Sequence, residues 1–184
     1  MRITGGSHRS RPLVSPTDRA IRPTTDRVRE AVFGILAHHW DQDRVEGARV
    51  LDAFCGTGAL ALEALSRGAA AAVLMDRDPR SLDLARNNAA ALGETARCRF
   101  IRADATRPAG SSESFTLVFL DPPYGQGLAA TAALALAQAG WLAPDALIVV
   151  EQAAASPESP PPGFMVPDQR RYGDTLVAFW TSGR

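Results

Sequence analysis

After Gly47 the chain alternates between short apolar runs and segments of helical period, and this alternation restricts the fold more than any other property. Ala48–Phe54 reads as a strand, Leu60–Ser66 as a helix stopped by Gly68, and Ala71–Met75 as a second strand. Asp78-Pro79 sets an N-cap before a proline at the first helical position, opening a helix that Gly93 ends. Cys98–Ala103 is a third strand, and Leu117–Asp121, within the apolar run that starts at Phe115, is a fourth. An alanine-rich helix over Leu128–Ala139 stops at Gly140, and Ala146–Glu151 is a fifth strand. A pair near Phe164–Val166 and Thr175–Thr181 reads as a hairpin closing the sheet. Strands alternating with helices predict an α/β protein with a doubly wound, mostly parallel, seven-stranded sheet. Continuous apolar strands fit burial on both faces.

Upstream, residues 1–23 hold Gly5-Gly6, three prolines and no clear period, which predicts an irregular or short-hairpin arm. A helix is expected from Thr24, capped by Thr25 or Asp26, with Val28, Val32, Ile35 and Leu36 on one face. The expected organisation is therefore a basic arm over 1–23 and one domain over 24–184. Net charge is zero, so no global field recruits a polyanion, yet residues 1–30 carry seven arginines against three acids. Every cation is arginine, a side chain suited to bidentate phosphate contacts. Cys55 and Cys98 form neither a disulfide framework nor a metal pattern, no metal is expected, and no stretch reaches the ~18 apolar residues of a membrane span. The expectation is a cytoplasmic protein without membrane association.

In doubly wound sheets, ligands bind beyond the carboxyl ends of the strands. Four acids gather there: Asp52 on the first strand, Asp76 ending the second, Asp104 after the third and Asp121 ending the fourth. Phe54 and the loop Cys55-Gly56-Thr57-Gly58 follow the first strand. Gly56-Thr57-Gly58-Ala59-Leu60-Ala61 fits the relaxed dinucleotide fingerprint, with Asp76 20 residues after Gly56. A pyrophosphate, however, would meet Asp52 as a like charge. S-adenosylmethionine brings a sulfonium and an α-ammonium, both cationic, and suits this set better. Asp76 is then expected at the ribose hydroxyls and Asp104 at the adenine amine, with Gly56 and Gly58 letting the backbone approach closely.

Asp121-Pro122-Pro123-Tyr124 supplies the other half. Proline fixes its own φ and restricts its predecessor, so the acid is held stiffly at the strand end. The Asp121 carboxylate and the Pro122 carbonyl can accept both N–H bonds of one exocyclic amine, while Tyr124 offers a face for stacking a base. Such hydrogen bonds favour a pyramidal nitrogen and localise its lone pair for in-line attack on a methyl group. The motif recognises an amine and does not choose the base.

With these motifs in view, the chain resembles the RsmD family of 16S rRNA guanine-N2 methyltransferases over nearly its whole length. Met1-Arg2-Ile3-Thr4-Gly5-Gly6, Arg22-Pro23-Thr24-Thr25-Asp26-Arg27-Val28-Arg29-Glu30-Ala31-Val32-Phe33 and Tyr172-Gly173-Asp174-Thr175 carry the specific part of the likeness. Leu51-Asp52-Ala53-Phe54-Cys55-Gly56-Thr57-Gly58 and the Asp-Pro-Pro-Tyr turn are shared more widely among amino-methyltransferases. The resemblance implies a Rossmann-like class I fold and methyl transfer from S-adenosylmethionine to guanine N2 in 16S rRNA, within the assembling 30S subunit; apart from it, a monomer is expected. Carried over, Asp52, Phe54, Gly56, Gly58, Asp76 and Asp104 line the cofactor and Asp121, Pro122 and Tyr124 hold the base. Arg9, Arg11, Arg22 and Arg29 are the candidates for RNA phosphates. Two positions depart from the family: Ser10 stands where glycine is frequent and Asp76 where glutamate is common.

The alternatives are adenine-N6 methylation in DNA or another RNA, an NAD-dependent oxidoreductase, and a catalytically silent RNA-binding module. The second leaves the Asp-Pro-Pro-Tyr turn unexplained, and the intact set of acids argues against the third. His38 and His39 are expected at a solvated helix end, Tyr172 and Trp180 in the packing of the closing strands, and Cys55 to be inert.

Overall fold

The structure, a computed structural model, describes residues 1–15 and 25–182. One sheet contains β1 (Arg49–Asp52), β2 (Ala71–Asp76), β3 (Cys98–Arg102), β4 (Phe115–Leu120), β5 (Leu142–Ala153), β6 (Phe164–Tyr172) and β7 (Thr175–Ser182). Their order is β3-β2-β1-β4-β5-β7-β6, with every pair from β3 to β5 parallel and β7 antiparallel to both of its neighbours. The expected seven-stranded, mostly parallel sheet is thus the observed one. The chain reverses direction across the sheet between β1 and β4, which leaves a crevice at their carboxyl ends.

Parallel neighbours require crossovers, and α2 (Ala59–Ser66), α3 (Pro79–Leu92) and α4 (Leu128–Gln138) supply three of them. The period-2 pleat divides the apolar residues between two cores. Val50, Leu74, Leu117, Phe119 and Val149 face one side, where they meet Phe33 and Leu36 of α1 (Asp26–His38), Leu62 and Leu65 of α2, and Leu82 and Ala85 of α3. Leu51, Val73, Val118, Leu120 and Ile148 face the other side, against Ala129, Ala133 and Leu136 of α4. Each fully buried Leu, Val or Phe contributes roughly 1.5–3 kcal/mol.

Local signals account for the helix starts. The Thr25 hydroxyl accepts from the Val28 N–H at 3.3 Å, and Asp78 Oδ1 accepts from the Arg80 N–H at 2.9 Å ahead of Pro79. Trp180 is fully buried in β7, while His38 and His39 are exposed at the end of α1. Two strands are longer than their sequence pattern suggests. β5 begins at Leu142, where its pairing with β4 shifts register between Phe115 and Leu117. The edge strand β6 continues through Asp168-Gln169-Arg170-Arg171, polar residues that leave no apolar alternation to read.

Residues 1–15 form a strap closed by an antiparallel bridge between Arg2 and Pro12 and packed on α2 and α3. Ile3 and Leu13 are buried in the first core. The Glu63 carboxylate gathers the strap: it accepts from the Thr4 N–H (2.8 Å), the Thr4 hydroxyl (2.7 Å) and the Gly5 N–H (2.8 Å). Gly6, at φ +76°, runs so close to α2 that a Cβ would fall 1.8 Å from the Ser66 carbonyl oxygen.

Arg29 belongs to the same cluster, and here the sequence expectation is corrected. Its side chain is fully buried, with Nε 3.2 Å from Glu63 Oε2 and Nη2 2.8 Å from Asp26 Oδ1. A guanidinium committed to a buried carboxylate presents no donor to an RNA phosphate. Arg22 and the boundary at residues 23 and 24 lie outside the described residues.

Candidate active site

A cavity of ≈ 520 Å³ opens at the carboxyl ends of β1, β2, β3 and β4. Phe54, Gly56, Asp76, Asp104, Asp121 and Tyr124 all line it, together with Pro122. Residues far apart in the chain converge there because parallel strands point their carboxyl ends the same way.

Asp76 ties the glycine loop to the end of β2. Its Oδ2 accepts from the Gly56 N–H at 3.0 Å and its Oδ1 from the Asp78 N–H at 2.9 Å. Each carboxylate oxygen has two acceptor directions, so capacity remains for ligand hydroxyls. Asp104 Oδ1 accepts from the Thr106 hydroxyl at 2.7 Å and N–H at 2.9 Å, and these bonds hold its carboxyl below the usual carboxylate range. It is therefore ionised at neutral pH. Phe54 is half-buried on the same wall.

Asp52 and Gly58 do not reach that wall. The pleat turns Asp52 under the glycine loop, where it is 1% exposed and its Oδ2 accepts from the Ala61 N–H at 3.2 Å. Its Oδ1 is buried without a hydrogen-bond partner among the described residues. Burial, with the Asp76 charge adding to it, pushes the Asp52 carboxyl up to about 7. Gly58 has φ +77°, and a Cβ there would lie 2.7 Å from Leu74 Cδ2, so glycine lets α2 start hard against β2. Both residues shape the loop from beneath. Burial beside Asp52 and Asp76 raises the Cys55 thiol, which keeps it protonated.

At the β4 end, Pro122 is buried and Asp121 is half-buried beside Tyr124. The Tyr124 hydroxyl donates to Glu151 Oε1 at 3.1 Å. Burial, then the charges of Glu151 and Asp121, raise its phenol well above the ordinary value, so it stays a neutral donor. Glu151 sits near the end of β5 and is 7% exposed. Sequence reasoning missed it, although an acid closing the apolar run Ala146–Val150 is the same signal that marked Asp76 and Asp121. Arg77, Ser81 and Thr106, also on the wall, gave no such signal.

The strap arginines lie at the other end. Arg9 is exposed, and Arg11 Nη2 donates to the Ala91 carbonyl at 2.7 Å in the last turn of α3, whereas the cavity meets the first turn at Ser81. At 1.5 Å per residue the two ends of α3 are about 20 Å apart.

The volume falls in the range of small-molecule sites, and the wall combines the carboxylates of Asp76 and Asp104 with the glycine backbone at Gly56. An adenosine-bearing cation fits this donor and acceptor set. Asp121, Pro122 and Tyr124 of the Asp-Pro-Pro-Tyr turn line the same cavity.

Four likenesses to known proteins bear on this arrangement. The family profile described as Conserved hypothetical protein 95 matches residues 1–181. Ribosomal RNA small subunit methyltransferase D of Escherichia coli (strain K12) is 40% identical over 152 residues, covering 82% of this chain and 74% of the relative. The solved structure of the yhhF protein from Escherichia coli superposes with a TM-score of 0.83 at 34% identity, covering 100% of this chain and 98% of the other. An RNA methyltransferase from Salinibacter ruber, solved with S-adenosyl-L-homocysteine, shares the fold at a TM-score of 0.68 and 19% identity, over 89% of this chain and 95% of its own.

Proposed function

Because the chain belongs to the Conserved hypothetical protein 95 family, the RsmD-type rRNA methyltransferases, we propose that it methylates the exocyclic N2 amine of a guanine in 16S rRNA. It is an rRNA methyltransferase whose cofactor is S-adenosylmethionine; guanine, its N2 atom and the assembling 30S subunit as substrate are the finer part of the proposal. The observation that carries it is the juxtaposition, on one cavity, of Asp76 and Asp104 with the Asp121-Pro122-Pro123-Tyr124 turn.

When bound, the cofactor supplies an electrophilic methyl group. Asp76 would hold the ribose hydroxyls and Asp104 the adenine amine, while Gly56 admits the backbone close to the ligand. Asp121 and the Pro122 carbonyl would accept the two N–H bonds of the guanine amine, and Tyr124 would stack on the base. Held this way, the amine nitrogen would have its lone pair localised for attack, and Asp121 would be the acceptor at hand for the surplus proton. Positioning and electrostatics carry the acceleration. The exposed Arg9 and Arg11 are proposed contacts to phosphates of a large RNA that extends beyond the cavity. No helix among the described residues is long and apolar enough to cross a membrane.

The test is transfer of labelled methyl from S-adenosylmethionine to unmodified 30S particles and to naked 16S rRNA, followed by nucleoside mass spectrometry. N2-methylguanosine is the expected product, with particles the better substrate. N6-methyladenosine would overturn the choice of base and keep the chemistry.

A further inference from the structure

The Asp-Pro-Pro-Tyr turn is stiff on one side only. Pro122 and Pro123 fix the backbone ahead of Tyr124, but behind it come Gly125 at φ +75° and Gly127 at φ +66°, before α4 begins at Leu128. The ring is 40% exposed, so packing alone does not set its orientation. The phenol is tied to the sheet instead: its hydroxyl donates to Glu151 Oε1 at 3.1 Å, and Thr175 lies in hydrogen-bond contact with it.

Both tethers are rigid. Glu151 stands in β5, directly after the last pair with β4, Leu120–Val150, and opposite Val177 of β7, so its backbone is held in the sheet. Thr175 opens β7, opposite Ala153, and is the last residue of the Tyr172-Gly173-Asp174-Thr175 hairpin turn. The sheet thus reaches the ring through its phenol, and the acid that accepts from it is almost entirely shielded from water.

We infer that Glu151 is a positioning residue for methyl transfer: with Thr175 it holds the Tyr124 phenol, and through it the ring face on which the base stacks, in register with Asp121. The inference rests on the proposed role of Tyr124 in holding the base. Glu151 acts here as an acceptor, not as a charge. A ring free to swing about its Cα–Cβ bond would still stack on a base, but would no longer fix the amine against Asp121. Misplacement by about 1 Å is enough to cost on the order of a hundredfold in rate.

The experiment measures single-turnover methyl transfer on 30S particles, with cofactor affinity and thermal midpoint recorded for each variant. Tyr124→Phe and Glu151→Leu should each slow transfer tenfold or more while cofactor affinity stays within about threefold. The double variant should be no slower than the worse single one, because one tether is removed only once. Glu151→Gln, which keeps an acceptor oxygen, should recover most of the rate. Wild-type transfer by Glu151→Leu, multiplicative losses in the double variant, or an equal loss in Glu151→Gln would each overturn the inference. Tyr124→Ala separates the two levels. Undiminished transfer there would remove the base-stacking role itself, whereas a deep loss with Tyr124→Phe at full rate would remove only the tether.

Discussion

The Arg29 guanidinium lies 3.2 Å from the Glu63 carboxylate, and both side chains are fully buried. Glu63 also accepts from Arg67 Nε at 2.8 Å and from Thr4 and Gly5 of the strap, so one carboxylate joins α1, α2 and the first residues of the chain. Removing one partner leaves the other's buried charge only partly compensated, by Asp26 for Arg29 and by Arg67 for Glu63. Glu63→Ala should lower unfolding free energy by about 3–5 kcal/mol in urea titrations, and Arg29→Ala by a similar amount. Combining the two should cost less than their sum, since the second change removes the charge the first left stranded.

Ser10 is the single non-glycine residue at positive φ among the described residues, at +69°. An L side chain in the left-handed region carries a penalty of roughly 1–2 kcal/mol, part of which glycine returns through its larger freedom in the unfolded chain. Ser10→Gly should therefore raise stability by about 0.5–1 kcal/mol in the same titration. Ser10→Val should lower it.

The raised pKa of Asp52 makes stability pH-dependent. A carboxyl at about 7 in the folded chain against 3.8 in the unfolded one keeps its proton longer when folded, so its contribution is full below about pH 4 and is lost as pH climbs to about 7. Asp52→Asn removes this term. The wild type should fall behind Asp52→Asn by on the order of 2–4 kcal/mol between pH 4 and pH 8, read from unfolding midpoints of both proteins across that range.

Asp121 follows β4 and Asp76 ends β2, both on one cavity, and their loss should separate cleanly. Asp121→Ala should lower the transfer rate by about 10³-fold or more while affinity for S-adenosylhomocysteine, measured calorimetrically, changes less than about threefold. Asp76→Ala, which also frees the Gly56 and Asp78 N–H groups, should weaken that affinity by about 10–100-fold. Near-normal turnover by Asp121→Ala would remove it from the chemistry.

Charge reversal of Arg9 and Arg11 tests the remote phosphate contacts. Arg9→Glu with Arg11→Glu should weaken RNA binding and lower the slope of log affinity against log salt by about 1 to 2, with cofactor binding unchanged. An unaltered slope would take the strap out of the RNA interface.

Periodicity and punctuation carried most of the fold. The Asp78-Pro79 start and Gly93 stop of α3 lie where the sequence puts them, because caps act within one turn. β6 was legible only in part: an exposed edge strand buries little, so nothing in Asp168-Gln169-Arg170-Arg171 marks a strand until β7 pairs with it. Glu151 carried a readable signal, an acid ending an apolar run, but its partner Tyr124 lies 27 residues away in the chain.

By itself the sequence determined the alternating α/β order, the acids at the strand ends and the stiff Asp-Pro-Pro-Tyr turn, since each depends on neighbours within a few residues. Only the tertiary structure decided which acids face the cavity. Asp52 and Asp76 both close apolar strands, yet the pleat buries one under α2 and presents the other to the cavity. It likewise decided that Arg29 serves Glu63 while Arg9 remains exposed. Side-chain direction and burial depend on which elements pack together, and no local pattern encodes that.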